Sequence, residues 1–338
     1  MKQVLITRKG NAELLKVREV PDPKPVKGEV LIRVLASGIN FADILARQGL
    51  YPDSPKIPCV VGYEVAGTIE TLGEGVSEFT AGQAVAALTR FGGYSEVVSV
   101  PANQVFAKPD SLSFEQAAAL PVNYLTAYGL LVAMGALKPE ESVLIHNAGG
   151  GVGLAALDIA SHIGATTYGT ASGSKHAFLK ERGLDHAIDY RTADWFSVLM
   201  DLTKGKGVEL IIDPLGGGNW KKSYNALRST GRLGVFGFSA AAGLGLASKV
   251  RLLKELVKIP RFFPLSMMGS NKGVFGLNLG HMWNENAKLR KWTDCILQGV
   301  SEGWVRPYVD KAFSFDHAPE AHRYIESRKN IGKVVLVP

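Results

Sequence analysis

The stretch His146-Asn147-Ala148-Gly149-Gly150-Gly151-Val152-Gly153 constrains the fold more than any other part of the chain. A short apolar run, residues 143–147, precedes it, and "VGLAALDIASHIG" follows with the spacing of a helix. A strand that turns into a helix through glycines opens a crossover unit. The pattern then recurs. "TTYGT" (166–170), "HAIDY" (186–190), "ELIID" (209–213) and "GRLGVFGF" (231–238) read as strands, with helical stretches such as "SKHAFLKERG" between them. Alternation of this kind predicts an α/β domain on a doubly wound parallel sheet. The first third differs. "EVLIRVLASGIN", "CVVGYEVAGTIETLG" and "YSEVVSVP" are short β-branched runs cut by Gly and Pro, which predicts a β-rich domain. The last stretch, "FDHAPEAHRYIESRKNIGKVVLVP", reads as a helix and a strand with no further crossover, and is expected to return to that first domain. A chain of 338 residues exceeds what one core usually supports, in keeping with two domains.

In the fingerprint G-x-G-x-x-G, Ala148 takes the first place, Gly150 the second and Gly153 the third. The middle glycine lets the backbone approach a pyrophosphate, the last lets the helix pack closely on its strand, and the helix N-terminus faces the negative charge. Ala148, Gly150, Gly151, Val152 and Gly153 are therefore candidate dinucleotide-binding residues. A tight turn with no ligand would not need so many glycines. NAD-specific folds place an acid about 20 residues past the loop, on the ribose 2′-hydroxyl. No acid lies from Gly164 to Ser174, so nothing in that segment repels a 2′-phosphate, and Ser172 offers a hydroxyl. Lys175 follows at a helix N-terminus, a place that mildly disfavours a cation and suits one that meets an anion. Tyr190 and Arg191 end the neighbouring strand. The expected cofactor is NADPH.

Composition narrows the classes of function. The formal charge is +7, but the basic residues are scattered and no nucleic-acid motif is present, so nucleic acid is not an expected partner. A mildly basic enzyme for anionic ligands fits better. Two cysteines, Cys59 and Cys295, cannot build a disulfide framework, and both are expected to be buried, unreactive thiols in a reducing, cytoplasmic setting. The N-terminus has polar residues too early for a signal-peptide core, and the longest weakly apolar run, about 233–247, is shorter than the ~20 residues of a membrane span.

"GINFADILARQGLYP" (38–52), "AAALPVNYLTAYGLL" (117–131) and "AGGGVG" together resemble the zinc-free quinone oxidoreductases of the medium-chain dehydrogenase/reductase superfamily. "GTASGSKH" (169–176), "DPLGG" (213–217) and "RKNIGKVVLVP" (328–338) resemble its vesicle amine transport protein-like branch. The resemblance covers nearly the whole chain. It implies a GroES-like substrate domain from residues 1–122 and 280–338, a Rossmann domain over 123–279, an active site in the cleft between them, and a homodimer. It further implies Asn40 and Tyr51 beside nicotinamide and substrate, Asn123 at the substrate, and Thr126 near the nicotinamide ribose. Lys175 and Tyr190 match a pair that clasps the 2′-phosphate. "GVFGFS" (234–239) and "VFGLNLG" (274–280) would line the nicotinamide side through Phe236, Gly237, Phe238, Phe275 and Leu277, with Asn330 as a further cofactor contact. The same two stretches also read as plain core strands.

Zinc-dependent relatives place a Cys three residues before an Asp, and then a Gly-His-Glu. Here the matching stretches are Asn40-Phe41-Ala42-Asp43 and Gly62-Tyr63-Glu64. An amide and a phenol stand where zinc wants a thiolate and an imidazole. The seven histidines, His146, His162, His176, His186, His281, His317 and His322, show no ligand spacing. No metal is expected. Without a Lewis acid to ionise an alcohol, reduction of a quinone or another enone-type double bond is the more natural chemistry. In that reading the Asn40 amide donates to the developing oxyanion and Tyr51 donates a hydrogen bond or a proton. The alternatives are that Asn40 caps the helix "FADILARQ" and that Tyr51 is wall packing. Asp43 is expected to cap or orient, and Tyr63 and Glu64 to be structural. Two other functions share these features. One is an enoyl-thioester reductase. The other is a cofactor-binding protein of vesicles or membranes with little turnover. The basic segment 249–263, "KVRLLKELVKIPRFF", bears on the latter. Arg251, Lys254, Lys258 and Arg261 share one helical face, Val250, Leu253 and Val257 another, and Pro260 ends the pattern. It suits either contact with anionic lipid or packing on its own domain.

Overall fold

A β-hairpin opens the chain, β1 (Lys2–Ile6) against β2 (Leu15–Glu19). Then come β3 (Glu29–Gly38), α1 (Phe41–Gln48), β4 (Glu64–Leu72), β5 (Ala84–Leu88), β6 (Val97–Pro101) and β7 (Val105–Ala107). Two short helices follow, α2 (Phe114–Ala117) and α3 (Pro121–Tyr128). The structure is a computed structural model that describes residues 1–338, apart from the side chains of Leu246 and Lys249.

The middle of the chain alternates β8 (Ser142–Ile145), α4 (Gly151–Ile163), β9 (Thr166–Ala171), α5 (His176–Glu181), β10 (His186–Asp189), α6 (Trp195–Leu202), β11 (Val208–Asp213), α7 (Gly218–Asn225) and β12 (Leu227–Val235). Helices α8 (Gly245–Val257) and α9 (Pro264–Ser270) lead to β13 (Gly273–Gly276). The six strands form one parallel sheet in the order β10-β9-β8-β11-β12-β13. Val143, Leu144 and Ile145 are fully buried, as expected of a strand covered on both faces. The switch in strand order falls at β8, where ligands bind in folds of this kind.

The C-terminal part adds α10 (Asn286–Glu302), β14 (Val309–Ser314), α11 (Ala318–Glu326) and β15 (Lys333–Val337). Strand β15 pairs antiparallel with β3, Val335 opposite Gly38, and so joins the first sheet, whose order is β14-β15-β3-β4-β5-β7 with β6 also on β3. The compact units are Met1–Asn123 with Trp283–Leu297 and Pro307–Pro338, and Tyr124–Met282 with Gln298–Arg306. The first has two apolar cores, one around Ile6, Val61, Tyr94 and Phe315 and one around Ile32, Val65 and Val100. The core of the second centres on Leu144, Ile188, Ile211 and Leu233.

One sequence expectation changes, and the basic segment shows an open apolar face. Cys59 is buried, but Cys295 is exposed. Trp292, Thr293, Ile296 and Val300 take the inward stripe of α10, so helical periodicity turns Cys295 to solvent. In the basic segment α8 stops at Val257, before Pro260, and its apolar face is open: Val250, Leu253 and Val257 are exposed, Val257 by 80%. The side chain of Lys249 lies outside the described residues. No helix among the described residues is long and apolar enough to cross a membrane.

Candidate active site

Parallel strands point their carboxyl ends to one edge of a sheet, and the loops leaving that edge carry the candidate cofactor residues of the second unit. The loop after β8 turns on Asn147, whose φ of 55° lies in the left-handed region that Asn tolerates. Gly150 is the N-cap of α4 and Leu154 N makes the first intrahelical bond, to Gly150 O at 2.9 Å. The N–H groups of Gly151, Val152 and Gly153 have no acceptor within the helix and face outward with its positive end. A Cβ on Gly150 would lie 2.6 Å from the Asn147 amide, and one on Gly153 would overlap the carbonyls of Asn147 and Ala148. Gly153 thus lets α4 seat against β8, and no side chain at 149–151 covers the free N–H groups. This backbone suits the diphosphate of a dinucleotide.

Lys175 completes the edge. It is only 8% exposed, and its stem lies over Gly149, where an added Cβ would be 2.8 Å from Cδ. It is therefore not the solvated first-turn lysine that a plain surface helix would carry. Ser172 Oγ lies 3.3 Å from Ser174 Oγ, and Tyr190 is exposed just past β10. One expectation needs correction here. No acid lies between Gly164 and Ser174, yet an acid from the next strand reaches the loop: Asp189 Oδ2 accepts from Gly173 N at 2.9 Å.

Behind the glycine loop runs a buried hydrogen-bond chain. Ser223 Oγ donates to Asp213 Oδ2 at 2.7 Å, so it accepts from His146 Nε2 at 3.2 Å. The neutral ring then accepts at Nδ1 from Thr170 Oγ1 at 3.0 Å, and Thr170 Oγ1 accepts from Asn147 N at 3.3 Å. Burial lowers the His146 pKa and keeps the ring neutral. The chain ties the loop to β9, β11 and α7.

In the first unit the organising residue is Asn40, the N-cap of α1. Lys333 Nζ can only donate, and it donates to Asn40 Oδ1 at 2.7 Å. Glu64 Oε1 accepts from Asn40 Nδ2 at 3.0 Å. Lys333 and Glu64 also form a direct ion pair, and both are almost fully buried. Glu64 Oε2 accepts from Val122 N at 2.7 Å. The amide is fixed in one orientation, with a single Nδ2 hydrogen left over. Asp43 fixes the backbone: Oδ2 accepts from Asn40 N at 2.7 Å and Oδ1 from Gly62 N at 2.9 Å. Burial pushes the Asp43 carboxyl up to about 7, against the pull of those two N–H groups and of Lys333. Tyr51 stands edge-on to Tyr63 with ring centroids 6.1 Å apart. Burial, and then the charge of Asp43, raise the Tyr63 pKa.

The alcohol dehydrogenase GroES-like domain model matches residues 26–110, and the zinc-binding dehydrogenase model matches residues 182–336. The rat synaptic vesicle membrane protein VAT-1 homolog is 38% identical over 338 residues, covering 99% of this chain and 83% of the relative. The chain belongs to the medium-chain dehydrogenase/reductase family. A 2-haloacrylate reductase from a Burkholderia species is 31% identical, over 99% of this chain and 98% of its own length. Escherichia coli quinone oxidoreductase, solved in complex with NADPH, matches with a TM-score of 0.86 at 30% identity, covering all of both chains.

Asn40 and Tyr63 stand where the resemblance to zinc-dependent relatives would call for a Cys and a His. Among the described residues no three or more His, Cys, Asp or Glu are grouped to hold a metal ion. Of the predicted residues, Ala148, Gly150, Gly151, Val152, Gly153, Ser172, Lys175 and Tyr190 lie together at the exits of β8, β9 and β10. Phe236, Gly237 and Phe238 follow β12, Phe275 lies in β13 and Leu277 follows it, farther along the same edge. The Phe238 ring packs over Gly216 and lies 5.7 Å from Trp220. Phe275 packs on Gly234, which favours the plain-strand reading for that ring. Asn123 and Thr126 are buried one turn apart on α3, Asn123 in the first unit and Thr126 in the second. Asn330 lies in the first unit, and its amide donates to Gly332 O at 3.0 Å. Lys333 was absent from the sequence prediction. Its one signal is a lysine at the head of the apolar run "VVLV".

Proposed function

We propose that this chain is an NADPH-dependent oxidoreductase that reduces quinones or other enone-type double bonds without zinc. The observation that carries the reading is the Asn40 amide, oriented by Lys333 and Glu64 and left with one N–H to give. The resemblance to zinc-dependent relatives would call for a thiolate at this position. A single fixed donor suits an acceptor that is already electron-poor and needs only its oxygen stabilised. NADPH, when bound, supplies two electrons to such an acceptor. The chain's own residues do the rest. The helix α4 N-terminus would hold the diphosphate, and Ser172, Lys175 and Tyr190 the 2′-phosphate. Asn40 Nδ2 donates to the acceptor's oxygen, and Lys333 and Glu64 keep that amide from turning. Tyr51 Oη would give a proton or pass one from water. The NADPH complex of the Escherichia coli relative supports the cofactor, and the 2-haloacrylate reductase, whose name gives it an activated double bond to reduce, supports the substrate class.

The test follows the absorbance of NADPH and, in parallel, NADH with a quinone, a small enone, a 2-haloacrylate and an enoyl thioester. Oxidation of NADPH with a quinone, enone or haloacrylate, and weak use of NADH, is expected. Turnover confined to the enoyl thioester would move the reading to an enoyl-thioester reductase. No oxidation with any acceptor would leave a cofactor-binding protein.

A further inference from the structure

An acid next to a 2′-phosphate site is a contradiction to resolve. Asp189 ends β10, one residue before Tyr190 and two before Arg191. A carboxylate there would be expected to repel a phosphate, or to bond a ribose hydroxyl in its place. Its two oxygens are turned elsewhere. Oδ2 accepts from Gly173 N at 2.9 Å, and Oδ1 accepts from Arg191 N at 2.9 Å. One carboxylate thus bolts the loop that leaves β9, with Ser172 and Lys175, to the loop that leaves β10, with Tyr190. Both bonds are charge-assisted, the stronger class of hydrogen bond. Gly173 makes this approach feasible, since a Cβ there would lie 2.7 Å from Asp189 Oδ2.

The same interlocking occurs on the other side of Lys175. Its stem lies over Gly149, so a methyl group on residue 149 would press on Lys175 at Cδ, 2.8 Å away, and shift the stem that carries the ammonium. Gly149 falls outside the three fingerprint places, yet it is the glycine that makes room for the cation. Three loops, from β8, β9 and β10, are therefore keyed together around Lys175.

We propose that Asp189 and Gly149 are positioning residues of a 2′-phosphate clasp: Asp189 fixes the Ser172–Lys175 loop to the Tyr190 loop, and Gly149 leaves the bed in which Lys175 lies. The proposal rests on NADPH being the cofactor.

Equilibrium binding of NADPH and of NADH, read by fluorescence without turnover, tests it on the full chain. Lys175→Ala is the reference. Asp189→Asn keeps the shape but can no longer accept both N–H bonds. It is expected to weaken NADPH by about tenfold, with NADH changed less than about twofold. Tighter NADPH binding by Asp189→Asn would mean that the acid repels the phosphate, and would overturn the proposal. Equal losses for the two cofactors would mean a merely structural loop, and would overturn it as well. Gly149→Ala provides an independent arm, also if Asp189→Asn does not fold. It should weaken NADPH in the wild-type background and add nothing in a Lys175→Ala background. The same cost in both backgrounds would show that Gly149 does not act through Lys175. A wild type that binds NADH as tightly as NADPH would overturn the cofactor reading itself. A wild type that prefers NADPH beside an unaltered Asp189→Asn would overturn only the clasp.

Discussion

At the exits of β8, β9 and β10 the groups offered to a ligand are peptide N–H groups and a few side chains, all within residues 148–190. Around Asn40 the partners are side chains from distant places: Lys333 Nζ reaches Asn40 Oδ1 across 293 positions of sequence. The first arrangement is held by the backbone, by the close approach at Gly153 and by local bonds such as those of Asp189. The second is held by one buried ion pair, Glu64 with Lys333, and one further carboxylate, Asp43. Losing one side chain beside the first should cost ligand affinity and leave the fold standing, whereas losing one member of a buried charge network should cost the fold itself.

The sharpest way to break this contrast is Lys333→Met. It leaves Glu64 charged and buried with only N–H donors for company, and the expected loss is about 3–5 kcal/mol in urea unfolding. Glu64→Gln together with Lys333→Met should recover most of that, because no unpaired charge remains. A loss below about 1 kcal/mol for the single variant would show that the pair is not the keystone taken here.

Next in size is Asn40→Ala. Loss of an oxyanion donor typically costs about a hundredfold or more in turnover, roughly 3 kcal/mol. NADPH affinity should stay within about twofold of wild type, since the cofactor's residues belong to the other set of loops. Tyr51→Phe should follow in the same direction with a smaller loss. If kcat for Asn40→Ala equals that of wild type across several acceptors, the amide plays no part in the chemistry.

The smallest effect concerns pH. Each unit contains a buried histidine, His146 in one and His322 in the other. Burial, with Arg47 adding, pushes His322 down to about 3. The ring stays neutral in the folded chain while the unfolded chain takes up a proton near pH 6.5. Its contribution is therefore present above pH 6.5 and is lost as the pH falls from there toward 3. Asp43 works in the opposite sense, because a raised carboxyl pKa gives stability that is lost as pH rises from about 4 to 7. Comparison with His322→Gln isolates the first effect. The stability of wild type relative to the variant should drop by roughly 2 kcal/mol between pH 7 and pH 5. A constant difference over that range would mean that His322 titrates normally.

The same contrast explains what the sequence could show. Ala148, Gly150 and Gly153 announce themselves because strand, glycines and helix are contiguous, and strand alternation then places Ser172, Lys175 and Tyr190 on the same edge. The return of β15 to the first sheet was legible as a strand without a crossover after it, though its pairing with β3 was not. The Glu64–Lys333 pair was not, because two residues 269 apart become neighbours only through that pairing. Asp189 was missed for a related reason: a search for acids along one strand exit does not see a carboxylate arriving from the next. Cys295 was misjudged from residue type alone, where the stripe of Trp292 and Ile296 would have turned it outward.

In the proposed function an oriented amide takes the place of a metal while electrons pass from NADPH to an activated double bond. The most direct measurement is the rate of NADPH oxidation with a small enone before and after exhaustive chelation, with elemental analysis of the same sample. The account predicts no zinc in the protein and a rate that chelation leaves unchanged. Activity that disappears with chelator and returns with zinc would contradict it.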